Sequence, residues 1–98
     1  MEQKKYTLPV DYTKLHYTER KQVRLQYIEE QNNICMYCNE SLSEPAPKHI
    51  TDKPIDWSKF PKNFLDYPIH LQHSHKTGMT EGAVHNYCNA AMWQYEGR

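Results

Sequence analysis

The sequence predicts a small α+β domain stapled by a metal ion, and three observations predict it. The chain has 98 residues and is 38% apolar, which gives one domain with a thin core that needs a staple. Cys35-x-x-Cys38 and His85-x-x-Cys88 are two half-sites with metal-ligand spacing. Between them, short stretches suited to strands follow a proline-rich segment, and a helical run begins at the second half-site. The expected order is an N-terminal helix, a knuckle, two short strands and a C-terminal helix.

Composition narrows the setting. Three cysteines cannot close an even disulfide framework, and nothing resembles a secretory signal. No apolar run approaches the length of a membrane span. The expectation is a cytoplasmic chain with reduced thiols and no membrane partner. Charge is balanced, 12 Lys and Arg against 12 Asp and Glu, which argues against a purely electrostatic nucleic-acid binder. The cations are unevenly spread, however: Lys4, Lys5, Lys14, Arg20, Lys21 and Arg24 crowd the first quarter. For any one of them a solvated helix face is the default.

Residues 1–17 contain Pro9, Tyr6, Tyr12 and Tyr17 and read as an extended arm. A helix is predicted over residues 18–33, with Thr18 as its cap and Glu19 in its first turn. Val23, Tyr27 and Ile28 fall on one face. Asn32 or Asn33 suits the left-handed residue that ends it. Residues 34–42 form the knuckle, whose tight turn aims both thiolates at one ion. Residues 43–68 hold five of the six prolines and read as an insertion loop. Ile55, Trp57, Phe60, Phe64 and Leu65 predict that it packs down, and Trp57 and Trp93 are expected in the core. Residues 69–75 suit a strand, Lys76-Thr77-Gly78 a turn, and Met79 to Val84 a returning strand. The last helix runs from Asn86 and stops at Gly97.

Cys35, Cys38, His85 and Cys88 supply three sulfurs and one imidazole, a set that zinc takes as a tetrahedron. All four positions are filled by protein, so this ion is structural. Its binding would supply much of the folding free energy. His70, His73 and His75 remain near one another. An imidazole titrates near neutrality and suits a general base, and a neutral amide such as Asn89 is an oxygen ligand for a hard cation. Spacing alone leaves a satisfied core or surface histidine as the commoner outcome.

The run Gln72-His73-Ser74-His75-Lys76-Thr77-Gly78, then Glu81-Gly82-Ala83-Val84-His85-x-x-Cys88-Asn89, resembles the HNH nucleases of the recombination endonuclease VII type. Their pattern is Asp-His-x-His-x-Thr-Gly followed by Arg-Gly-x-x-Cys-x-x-Cys-Asn, after an upstream Cys-x-x-Cys. Leu71-Gln72-His73 and the Trp93-Gln94-Tyr95 ending are similar to bacteriophage-encoded members. The resemblance implies a ββα-metal (His-Me finger) fold over residues 69–98 and cleavage of DNA. It makes His73 the general base, gives His75 the scissile phosphate or leaving group, and makes Asn89 a ligand of a catalytic Mg2+ or Mn2+ ion, with Gln72 beside it. Lys14, Arg20, Lys21, Arg24 and Lys76 are the candidate DNA contacts. The chain departs from the pattern at Gln72, where the family has Asp; at Glu81, where it has Arg; and at His85, where it has Cys. An uncharged amide binds a hard cation more weakly than a carboxylate does.

A second reading is a zinc-stapled nucleic-acid-binding module without catalysis, in which Tyr6, Tyr12 and Trp57 stack on bases. The His-x-Glu and Pro-Cys-x-x-Cys of zinc deaminases are absent. Either a monomer or a weak homodimer is compatible with this length.

Overall fold

The computed structural model describes residues 5–97, so Lys4 and the first residues of the arm lie outside the described part. Helix α1 spans Tyr17–Glu30. Its cap is His16 rather than Thr18. The imidazole Nδ1 accepts the Thr18 N–H at 3.4 Å, and Glu19 Oε1 accepts the His16 N–H at 3.2 Å. This reciprocal pair satisfies amides that the helix itself cannot, and it shifts the start back by one residue. The end comes early because Asn32 and Asn33 take φ of 55° and 61°, a left-handed region that asparagine tolerates.

That left-handed turn delivers the chain to the knuckle. Ile34 and Ser41 pair as an isolated bridge. Inside it, Cys35 N–H donates to Glu40 O at 2.8 Å and Asn39 N–H to Cys35 O at 3.1 Å. Asn39, at φ 63°, closes the turn.

The proline-rich segment is less open than a loop. It contains a one-turn helix α2 at Lys48–Thr51 and a 3-10 turn at Trp57–Lys59. Ile50 is buried in the core. Gln94 fastens the segment to the last helix, accepting the Asp56 N–H and donating to Pro54 O, both at 2.8 Å. Trp57 and Trp93 are not core residues: they are 39% and 37% exposed. They belong to a surface aromatic cluster with Phe60, Phe64 and Tyr87. The buried core is made of thiols, alanines and mid-sized aliphatics (Cys35, Leu42, Ile50, Ala83, Val84, Cys88, Ala91, Met92), too thin to enclose an indole.

Strands β1 (Ile69–His73) and β2 (Thr80–His85) form a two-stranded antiparallel sheet. The register runs Ile69 to His85, His70 to Val84 and Gln72 to Gly82, then skips Glu81 so that His73 meets Thr80. Glu81 is thus the extra residue of a β-bulge, which bends the strand at the end that carries His73. β1 stops two residues short of the predicted end because Ser74 opens a turn. Gly78 N–H donates to Ser74 O at 2.8 Å, and Gly78 adopts φ 79°. The arm is docked on this end of the sheet. Tyr12 N–H donates to Gly78 O, and Thr80 N–H to Val10 O, both at 2.9 Å.

Helix α3 (Asn86–Glu96) follows β2 without a linker and ends at Gly97, whose φ of 70° is left-handed. The result is a small α+β fold with a two-stranded sheet between α1 and α3 in the chain. Among the described residues no helix is long and apolar enough to cross a membrane.

Candidate metal centre and adjoining cleft

The knuckle and the β2–α3 junction bring Cys35, Cys38, His85 and Cys88 together, with ligand atoms all within 4.8 Å of one another. His85 sets the geometry. Its Nδ1 faces Cys38 Sγ at 3.4 Å and Cys88 Sγ at 3.6 Å. Its Nε2 lies 2.8 Å from Ser41 O and 2.9 Å from Glu44 O. Two carbonyls demand a proton on Nε2, which leaves the Nδ1 lone pair turned toward the sulfurs. That is the outer-shell device by which metal sites fix a histidine tautomer.

Three thiols at this spacing cannot all ionise unaided. A hydrogen bond from Cys88 holds the Cys35 thiol down at about 4. Donating that bond pushes the Cys88 thiol far up, and burial pushes Cys38 up. A dication is the charge that would stabilise three thiolates at once. The chemistry and spacing of the donors therefore fit a metal ion, and three sulfurs with one nitrogen are consistent with structural zinc.

On the other side of β1 lies a cleft of about 610 Å³. It brings His70, Gln72, His73 and His75 from the first strand and its turn together with Asn89 from α3 and with Arg20, Lys21 and Arg24 of α1. Among the described residues, no carboxylate lines it. Lys14 and Lys76, also expected at the site, do not line it. Lys14 ends the 3-10 turn of the arm and Lys76 projects from the β1–β2 turn, and both are exposed.

Inside the cleft the expected neighbours are partly rearranged. His73 and Asn89 both line it, each with a different partner. The polar partner of Asn89 is His70, Nδ2 to Nδ1 at 3.0 Å. His73 instead stacks on Tyr12 of the arm, and its ring centroid is 5.0 Å from that of His75. Gln72 is buried, and its Nε2 donates to His73 O at 2.9 Å and to Glu81 Oε1 at 3.3 Å.

Burial lowers the pKa of His73, and the nearby His75 and Arg20 lower it further; Glu81 opposes them. Burial also lowers that of His70, with Arg24 adding to the effect. Both imidazoles are therefore held toward the neutral form. Arg20 lies with its guanidinium carbon 4.3 Å from the Tyr12 centroid, and its buried Nε has no hydrogen-bond partner among the described residues.

Sequence reasoning gave no role to His70 and treated Tyr12 as one aromatic among several. Strand parity was the available signal for His70, since residues 70 and 72 share a face. Nothing local marks Tyr12, whose position depends on the arm docking at Gly78 and Thr80. Comparison with protein-family models, with curated proteins and with solved structures gave no match.

Proposed function

We propose that this protein is a metal-dependent DNA endonuclease of the HNH type, built on a ββα-metal motif over residues 69–98 and stapled by a structural zinc. One observation carries the reading. A single cleft is lined by His73, His75 and Asn89 together with Arg20, Lys21 and Arg24, with no carboxylate among its described lining residues. A phosphodiester is the ligand whose charge suits that lining and whose hydrolysis needs those groups.

His73 is the general base. Its lowered pKa keeps it unprotonated at neutral pH, ready to take a proton from water. His75 has the role of contacting the scissile phosphate or the departing oxygen, a reading supported by its presence in the same cleft. Arg20, Lys21 and Arg24 draw in the backbone and hold it by charge, contributing affinity without sequence preference. Asn89 is the ligand for the divalent ion, which would supply Lewis-acid stabilisation of the leaving oxygen. The remaining neutral donors of the cleft are amide oxygen and imidazole, and the imidazole leans toward first-row transition ions over magnesium. The proposed setting is the cytoplasm, with DNA as partner.

The test is relaxation of supercoiled plasmid by wild type and His73→Ala, in Mg2+ and in Mn2+, with zinc content measured in both proteins. Cleavage by wild type alone, at equal zinc content, is the expected result. Equal cleavage by the variant would remove His73 from the mechanism.

One observation favours the rival, a nucleic-acid-binding module without catalysis. Gln72 replaces a metal-binding carboxylate, and its amide nitrogen is occupied by His73 O and Glu81. Salt-dependent DNA binding without cleavage in magnesium, manganese, nickel or cobalt would support that reading.

A further inference from the structure

The second ligand of an ion held by Asn89 should come from the residue that meets it. That residue is His70. β2 runs directly into α3, so the position of β1 paired with Val84 lies close to the first turns of the helix. His70 occupies that position. Gln72 pairs two residues farther along the strand, roughly 7 Å away.

We propose that His70 and Asn89 form the protein's seat for the divalent ion of this cleft, that Gln72 is not a ligand, and that the ion is a first-row transition-metal ion (Mn2+, Co2+ or Ni2+) rather than magnesium. Two ligands at right angles around an ion, each about 2.1 Å from it, lie about 3.0 Å apart. The His70 to Asn89 distance is 3.0 Å. A half-turn of the Asn89 carboxamide brings its oxygen to the place of its nitrogen, since the two are near-isosteric. The His70 ring is braced edge-on against Phe64, with centroids 4.7 Å apart, so its Nδ1 faces Asn89 before any ion arrives. The choice of ion follows from the donors. First-row transition ions accept an imidazole nitrogen more readily than magnesium, which seeks carboxylate oxygen. The described lining of the cleft offers no carboxylate. Arg20, Lys21 and Arg24 repel an isolated dication, so the ion binds more tightly when a phosphate shares the cleft.

Only the use of this ion in cleavage rests on the nuclease reading; its binding does not. The experiment titrates zinc-loaded protein with Mn2+, with and without inorganic phosphate. Free Mn2+ is read by electron paramagnetic resonance, and bound Mn2+ by its spin-echo coupling to nitrogen. Wild type should take up one further ion, more tightly with phosphate, and show imidazole nitrogen coupling. His70→Ala, His70→Gln and Asn89→Ala should bear zinc as wild type does. His70→Ala and Asn89→Ala should weaken Mn2+ binding about tenfold or more, and both His70 variants should abolish the coupling. Gln72→Ala should change affinity by less than about twofold. Uptake abolished in Gln72→Ala but kept in His70→Ala, or coupling absent from wild type, would overturn the proposal. Plasmid cleavage without this Mn2+ site would sink the inference alone. A normal Mn2+ site with a fully active His73→Ala would sink the proposed base and leave the inference standing.

Discussion

Tyr12 lies flat on His73, with ring centroids 3.9 Å apart and planes 7° from parallel. Arg20 covers the Tyr12 ring at 4.3 Å, so the opposite tyrosine face is left to the cation. The phenol thus separates a guanidinium from an imidazole, and it withholds His73 from water on one side. It holds the ring of the proposed base at a fixed tilt.

Removing that cover should raise the His73 pKa toward its ordinary value. Burial is the largest cause of the depression, and Tyr12→Ala relieves it. The acidic limb of the cleavage profile reports protonation of the base, so it should move to higher pH in Tyr12→Ala. Proton NMR titration of the His73 ring in both proteins checks the shift without reference to activity.

Salt dependence separates the cations that line the cleft from those that do not. For every phosphate that a variant no longer neutralises, the slope of log affinity against log salt should fall by about 0.9. Arg20→Ala, Lys21→Ala and Arg24→Ala should each approach that change on duplex DNA. Lys14→Ala and Lys76→Ala, outside the cleft, should leave the slope near that of wild type. Fluorescence anisotropy over a salt series measures it.

Gln31 binds knuckle, helix end and sheet with one carboxamide. Its Oε1 accepts the Ala83 N–H at 2.9 Å, while Nε2 donates to Ala83 O at 3.0 Å and to Ile34 O at 2.7 Å. It imitates a neighbouring strand where the sheet has none. Gln31→Ala should cost about 1–3 kcal/mol, the penalty for stranding the buried Ala83 N–H, while Ala83 O keeps the Met36 N–H at 3.0 Å. Gly82→Ala should destabilise on a similar scale. The added methyl would meet Gln31 Oε1 and Met36 Sδ, each at 2.8 Å. Urea unfolding of the metal-loaded proteins gives both numbers.

Acid should loosen the fold from two directions that share a sign. His70 and His73 have folded pKa values below their ordinary value, so the unfolded chain binds more protons as pH falls through that range. Stability is therefore full above the ordinary histidine pKa and declines below it. A metal ion held by the cysteine thiolates would also be displaced as they take up protons. Melting temperature should fall steadily from pH 7 to pH 5, and chelator at pH 7 should reproduce much of the loss. Circular dichroism melts with parallel zinc analysis test both.

The parts of this fold legible in the sequence are those governed by local rules. The paired half-sites announced Cys35, Cys38, His85 and Cys88, and the structure gathers all four. Gly97 marked the end of α3 and the asparagine pair the end of α1, because few other residues accept a left-handed turn. What escaped depends on distant contacts. The His16 cap was hidden because histidine seldom caps a helix. The Asp11 to Met79 bridge joins residues far apart in sequence. The Glu81 bulge and the pairing of His70 with Asn89 follow from register, which no local pattern displays.

The two halves of the metal centre lie on either side of the proline-rich segment, with Cys38 and His85 separated by 47 positions. A protease that cuts within residues 43–68 would leave two fragments, each bearing two of the four donors. With the ion in place they should travel together as one particle, joined through the metal rather than the backbone. Adding a chelator should weaken that union, leaving the hydrogen bonds of Val10, Tyr12, Gln31 and Met36 to the second fragment among the remaining links. In the nicked molecule the metal would act as a reversible coupling between two separate chains.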